Sequence, residues 1–452
     1  MVWIGGLIVI LTAVAIIKRY EVRLILFVSG LSMALLAGMA GKVGVILDAE
    51  QEIYEYPTGL AGLVAGFQET INSFVTSMTS VTLVSVICTV MGFAYVLKLT
   101  QCDAHLVHLL ATPLTKMKAI LIPGTVILTA AINIALPSAA GAAAAVGAIL
   151  IPALIATGVR PAMAATAVMA GTFGSMMSPG SAHIAKVAEL SGKEEVMSTI
   201  AVMAPKAITA VIIGAISLTV IAFIFKENKG YKPEEDELGA SDAGEEKFKV
   251  NILKALVPIL PLALLVVGSE AIGLVDEPIT VPQAMIIGIV VAFLVSLTNP
   301  QEISKKFFEG MGSAYGSIIG IIIAASVFTY GMGAIGLTES LIETMKNSES
   351  IVSIAAVFGP FIIAVLSGSG DAAAMAFNDA ITANAADFGL TIPDLGTSAS
   401  LAGALGRTMS PVAGAAIVCA SLAKVNPIEI AKRNAPGMLI AAIVLVIWMW
   451  LF

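Results

Sequence analysis

Runs of about twenty apolar residues recur along the whole chain, separated by short polar or charged steps. A helix crossing the hydrocarbon core needs about 20 such residues. The pattern predicts crossings near 2–17, 22–40, 79–98, 162–187, 203–225, 255–275, 280–298, 313–335, 396–423 and 435–452. Two more apolar segments, 119–157 and 351–386, are too long for one crossing. Each is interrupted by a small polar tip, Leu136-Pro-Ser-Ala-Ala-Gly141 or Leu366-Ser-Gly-Ser-Gly-Asp371. They read as re-entrant hairpins, because non-helical backbone at membrane depth must face protein or a wet cavity. Two crossings each, with the tips as ordinary turns, is the other reading. The stretch 41–80 does not read as a crossing. Asp48, Glu50, Glu52 and Glu55 mark an acidic external loop, and 66–77 suit a short interfacial helix.

Composition agrees with a membrane protein. The chain of 452 residues is 58% hydrophobic and 12% charged, against about 25% charged in soluble domains. With both termini outside, Lys and Arg fall on the cytoplasmic side except Lys42, Lys186, Lys193, Lys206, Lys346 and the buried Arg407. That asymmetry sets the expected orientation. The first apolar run has no basic segment before it and Lys18-Arg19 after it, so it reads as a retained span. The stretch 226–251 carries a long acidic run and reads as a mobile cytoplasmic linker. Nothing in the chain offers a basic groove with aromatic platforms, so nucleic acid is not an expected partner. Cys88, Cys102 and Cys419 lack metal-ligand spacing, and His105 with His108 reads as a solvated interfacial pair.

The chain contains a duplication. Ala170-Gly-Thr-Phe-Gly-Ser-Met-Met-Ser-Pro179 matches Ala402-Gly-Ala-Leu-Gly-Arg-Thr-Met-Ser-Pro411. The two tips align at nearly the same offset, and Met203-Ala-Pro205 pairs with Asn434-Ala-Pro436. Gly66-Phe-Gln-Glu69 more weakly matches Lys306-Phe-Phe-Glu309. An odd number of crossings per copy turns the second upside down. The expected fold is therefore an all-α polytopic membrane protein with two inverted repeats. Each repeat has about five transmembrane helices, a re-entrant hairpin and a broken helix, as recurs in transporters. Residues 1–225 form the first repeat, 226–251 the linker and 252–452 the second repeat. The scaffold comprises 1–98 and 255–335. The hairpins are 119–157 and 351–386, and the broken helices 162–187 and 396–423.

Inversion would bring both tips and both breaks to the centre. Broken helices expose unpaired amides and carbonyls. Amides at half-helix N-termini favour anions. Candidate substrate-binding residues are Thr172, Ser175 and Ser178 at the first break, with Ser181 beside them. Arg407, Thr408 and Ser410 occupy the second break, Ser138 the first tip, and Ser367, Gly368, Ser369 and Gly370 the second. A charge such as Arg407 inside an apolar segment needs an anionic partner, a wet cavity or a substrate. It reads either as a substrate contact or as an ion pair with Asp371 or Asp379. Asp371, Asn378 and Asp379 are coupling-ion candidates, for Na⁺ or H⁺, and a tip-capping role is the other reading of Asp371.

Three segments carry a resemblance over nearly the whole length. They are Leu366-Ser-Gly-Ser-Gly-Asp-Ala-Ala-Ala-Met-Ala-Phe377, Gly406-Arg-Thr-Met-Ser-Pro411 and Ile417-Val-Cys-Ala-Ser-Leu-Ala-Lys-Val-Asn-Pro-Ile-Glu-Ile430. The chain resembles the C-type family of anaerobic C4-dicarboxylate carriers, within the larger ion-transporter superfamily. That resemblance implies a bacterial inner-membrane carrier of succinate, fumarate or malate, working by exchange or efflux as an elevator-like homodimer. The Ser-Asn-Thr signatures of sodium-coupled relatives are absent from both tips. A cation/proton antiporter using Asp371, Asp379 and Asp387, or a carrier of another organic anion, is the competing reading. No nucleotide loop, metal cluster or nucleophile–base pair suggests an enzyme.

Overall fold

In lipid, backbone amides must bond within their own segment, so the apolar runs fold as helices. The computed structural model describes residues 1–18, 20–48, 53–115, 117, 120–192, 196–232, 248–269, 278–345 and 349–451. The chain begins with α1 (Val2–Ile17), α2 (Val22–Met39), α3 (Gly59–Met78), α4 (Val81–Thr100) and α5 (Cys102–Thr115). There follow α6 (Leu121–Ala135), α7 (Ala139–Ala156), α8 (Pro161–Ala170), α9 (Ala182–Leu190) and α10 (Val196–Ile224). The second half opens with α11 (Ile252–Leu256), α12 (Leu260–Val267), α13 (Val281–Ser296), α14 (Pro300–Ala314), α15 (Gly320–Ala334) and α16 (Leu337–Met345). It closes with α17 (Glu349–Ser367), α18 (Gly370–Ala380), α19 (Ile392–Met409), α20 (Gly414–Leu422) and α21 (Pro427–Leu451). Among the described residues, seven helical stretches are long and apolar enough to cross a membrane. The protein is a polytopic, helical membrane protein.

Local chemistry sets several boundaries. Pro161, Pro300 and Pro393 stand in the first turns of α8, α14 and α19, where a missing N–H costs nothing. Glu21 caps α2 by accepting from Leu24 N. Thr280 and Gln283 form a capping box on α13.

The helices pack in two groups. In one, α2 lies against α3 and α15, while α4 lies against α13 and α14. Gly30 and Gly331 let α2 and α15 meet backbone to backbone, as small residues do in lipid. In the other group, α17 and α18 pack on α19, α7 packs on α8 and α20, and α10 packs on α21. The groups meet where α4 touches α9 and α15 touches α18.

Several expectations need correction. The stretch 41–80 holds a two-stranded antiparallel ribbon, β1 (Val45–Asp48) and β2 (Ile53–Glu55), rather than a plain loop. The helix there is longer than expected and begins at Gly59. Lys186 and Lys206 are not external loop charges, because both are buried inside the helical body. Lys432 and Arg433 lie in the first two turns of α21, ahead of the crossing expected at 435–452, and pair with Glu429 and Glu227, which leaves their expected side unchanged. His105 is buried rather than solvated, and both His105 and His108 pack against Phe248. The linker's acidic run, 233–247, and the end of the crossing expected at 255–275 lie outside the described residues.

Candidate functional site

The two breaks differ. In the first, α8 stops at Ala170, and turns with one short 3₁₀ stretch, Gly174–Met177, lead to α9. Breaking a helix frees amides that need partners. Asn133 of α6 supplies one, its Oδ1 accepting from Ser175 N at 2.8 Å. In the second, α19 continues to Met409 before a short gap to α20. Arg407 and Thr408 therefore sit in the last turn of α19, not in the break, and only Ser410 begins the gap. The physical reason is packing. Gly403 and Gly406 serve close approach to α18 and α17 rather than a turn, since a Cβ at Gly406 would overlap the Phe361 carbonyl. Asn434 Nδ2 donates to Thr408 O at 3.1 Å, serving a carbonyl at the helix end.

Both tips are built by serine caps. Ser138 Oγ accepts from Gly141 N at 3.2 Å at the start of α7. Ser369 Oγ accepts from Ala372 N at 3.3 Å at the start of α18, and Ser367 Oγ accepts from Ser369 N at 3.2 Å. Gly368 between them has φ +77°, a left-handed conformation that glycine adopts without cost. Ser369, not Asp371, is thus the capping residue of the second tip. Gly370 lies against the Gly403 carbonyl, joining this tip to α19.

Several candidate hydroxyls are spent locally. Thr172 Oγ1 donates to Met169 O at 2.8 Å and Thr408 Oγ1 to Ala404 O at 2.8 Å. Ser178 and Ser410 accept from Gly180 N and Val412 N, both at 3.3 Å. Ser175 and Ser181 are buried beside them.

The charged candidates make the link between halves. Arg407 Nη2 donates to Thr172 O at 2.9 Å, so the second copy's guanidinium holds the first copy's break. Asp371 lies within electrostatic reach of Arg407, but its direct partner is His183 of α9, with Nε2 3.0 Å from Oδ1. An ionised Asp371 can only accept, which would put the proton on Nε2. Asp371 is 55% exposed while His183 is 4% exposed, so the pair lies at the edge of an open space. Asp379 pairs with Lys186, not Arg407, at 2.6 Å. Asn378 is consumed by packing, donating to Ser400 Oγ at 3.0 Å and accepting from Thr382 at 2.9 Å. Lys206 of α10 donates to Asp394 O at 3.1 Å, Thr397 at 3.0 Å and Ser398 at 3.2 Å, tying α10 to the start of α19.

His183, Lys186 and Lys206 are the residues that sequence reasoning missed. The available signal was the same one that exposed Arg407, a cationic or titratable side chain inside an apolar run. Near the first break, Pro137, Ser178 and Pro179 border a narrow crevice against Val90 and Phe93 of α4.

Comparison with known proteins fits this arrangement. The family model described as the C4-dicarboxylate anaerobic carrier matches residues 3–451. A putative uncharacterized transporter of Haemophilus influenzae is 42% identical over 282 residues, covering 61% of this chain and all of that protein. The anaerobic C4-dicarboxylate transporter DcuC of Escherichia coli K12 is 26% identical over 457 residues, covering 98% of this chain and 95% of that one. Among solved structures, Neisseria gonorrhoeae MtrF superposes with a TM-score of 0.67 at 13% identity, covering 98% of this chain and 97% of that one. The Alcanivorax borkumensis YdaH transporter gives 0.63 at 13% identity, covering 95% and 98%. At that identity the likeness speaks for the fold alone. The family match runs through both breaks and both tips, and on that ground the chain belongs to the C4-dicarboxylate anaerobic carrier family.

Proposed function

We propose that this transporter is a secondary active carrier of C4-dicarboxylates such as succinate, fumarate and malate, working by exchange or efflux. The observation that carries the reading is Arg407. Its guanidinium stands at the end of α19, spans to the carbonyl of Thr172 and lies near the open-sided Asp371. A dicarboxylate losing water needs cationic or amide partners, and a guanidinium offers a fork of donors matched to a carboxylate. Serine-capped tips and the freed amides of the first break supply further donors around it.

In this reading the two halves are inverted repeats that work by alternating access. Gly174 and Gly406 make equivalent tight contacts, against Ala130 of α6 and Phe361 of α17. The pairs α6/α7 and α17/α18 are the re-entrant hairpins of this reading, entering from the cytoplasm and from outside. They move with α8–α10 and α19–α21 against a scaffold that includes α2, α4, α13 and α15 and forms the homodimer contact. Both termini face the outside of a bacterial inner membrane. The scaffold helices α4 and α15 rest on α9 and α18, whereas α7 and α20, at the other end of the unit, rest mainly on helices of their own group. In the orientation given by the Lys/Arg asymmetry, that corresponds to the unit lying low, open toward the cytoplasm.

Counterflow tests the reading. Vesicles containing the purified protein and loaded with unlabelled succinate should accumulate labelled succinate without an energy source. Absence of counterflow with succinate, fumarate and malate alike would reject the assignment.

A further inference from the structure

We propose that Lys186 is the transport unit's own counter-cation to Asp379, so that no metal cation is coupled to transport at that carboxylate. The inference rests on the carrier reading above and deepens it. Lys186 lies on α9 and Asp379 near the end of α18, and their charged atoms are 2.6 Å apart. Both side chains are nearly enclosed, at 9% and 6% exposure. A charge at such a place persists only with a partner.

The surroundings are negative. Glu189 Oε2 lies 3.4 Å from the same ammonium. Two carboxylates thus face one ammonium.

The neighbouring amide of Asn378 is turned into helix packing and does not reach for the ammonium. Asn378 Oδ1 accepts from Thr382, and Ser400 Oγ accepts from Asn378 Nδ2. Asp379 Oδ2 is enclosed with no hydrogen-bond partner among the described residues. Lys186 is the cation in contact with this carboxylate. It is tethered to α9, so it travels with the unit and cannot be exchanged with solution. A cation that never leaves cannot transmit a gradient.

The test uses the full-length protein in vesicles, with succinate counterflow measured in sodium, potassium or choline chloride. Wild-type rates should agree within about twofold across the three salts. Lys186→Met keeps length and removes charge, leaving Asp379 unpaired. Its rate should fall at least tenfold in choline and recover in part in sodium. The double variant Lys186→Met/Asp379→Asn removes both charges and should transport in all three salts. Sodium-dependent transport by the wild type would overturn the proposal. So would an unimpaired Lys186→Met in choline, or a folded Lys186→Met and a folded double variant that are inactive in every salt.

Thermal melting in detergent reads cation binding without substrate. Sodium in place of choline should raise the Tm of Lys186→Met and leave the wild type unchanged. A sodium shift in the wild type, or none in a folded Lys186→Met, overturns the inference. These melts separate its failure from failure of the carrier reading. If Lys186→Met yields no folded protein, the wild-type salt series and melt decide the matter.

Discussion

Replacing Gly174 with Ala tests the contact that shapes the first break. Gly174 opens the 3₁₀ stretch where α8 has ended, directly against α6. An added Cβ would overlap the Ala130 carbonyl oxygen and sit 2.7 and 2.8 Å from the carbonyl carbon and Cα, where ordinary contact begins near 3.4 Å. All three atoms are backbone, so no rotamer change relieves the clash. Either α6 or the break must move by more than half an ångström. Overpacking of this kind costs about 1–3 kcal/mol. Removing glycine's unfolded-state freedom returns about 0.4–1 kcal/mol, which leaves a net loss of about 1–2 kcal/mol. Gly359→Ala in α17 is the control, because nothing lies within 4 Å of its added Cβ. There only the favourable part remains, about 0.5–1 kcal/mol. The buried thiols of Cys88, Cys102 and Cys419 provide the assay. A thiol-reactive fluorogenic dye reports unfolding on heating in detergent. Gly174→Ala should melt a few degrees below the wild type and Gly359→Ala at or above it. A Gly174→Ala protein as stable as the wild type would show that the break does not depend on this approach.

Other predictions follow from the same geometry. Arg407→Lys keeps the charge but loses the fork, so succinate exchange should fall more than tenfold in a protein that still folds; losing such a contact costs about 2–5 kcal/mol. Normal substrate affinity in Arg407→Ala would remove this residue from the site. Lys206→Met strips donors from Asp394, Thr397 and Ser398 and should cost about 1.5–3 kcal/mol, toward the lower figure because Asp394 is 39% exposed; equal thermal stability would contradict this. Cysteines placed at the exposed Tyr56 and Lys229 should label from opposite sides of the membrane, and labelling from one side would reject the orientation. A disulfide across the α15–α18 contact should arrest counterflow, while one between α2 and α15 should leave it intact; exchange with the first crosslink closed would rule out relative movement of the two groups.

Much of the architecture is written in local pattern. Apolar run length marks the helices, and the two Gly-x-x-Gly-x-x-Met-Ser-Pro segments mark where a crossing stops early. The same motif misleads at Arg407, because glycine permits both a turn and a close helix contact. Only the neighbour decides, and in the second copy the neighbours are Phe361 and Gly370. The charge pairs are not legible in the sequence for a related reason. His183 and Asp371 are 188 residues apart in the chain, as are Lys206 and Asp394. A buried cation announces that it has a partner but not which one. Ammonium groups ordinarily seek water, so Lys186 and Lys206 read as loop charges in the sequence, whereas here carboxylates and hydroxyls replace it. The β1–β2 ribbon was masked by its acidic neighbours, although Val45-Ile-Leu and Ile53-Tyr are good strand formers.

The unequal breaks have a kinetic consequence. The stretch between α8 and α9 is long, the gap between α19 and α20 is short, and the Arg407 guanidinium reaches from the end of α19 to the first of them. On the carrier reading proposed above, the two halves of the site are therefore unequal, a long turn on one side and the end of a continuous helix on the other. Half-saturation on the two sides of the membrane need not agree. Detailed balance still binds a passive exchanger: with no gradient, the ratio of maximal rate to half-saturation must be the same in both directions. A face with tenfold weaker affinity must then turn over tenfold faster. Where the inner face is the weaker one, such a carrier drains a high internal pool quickly, with no energy source and no valve.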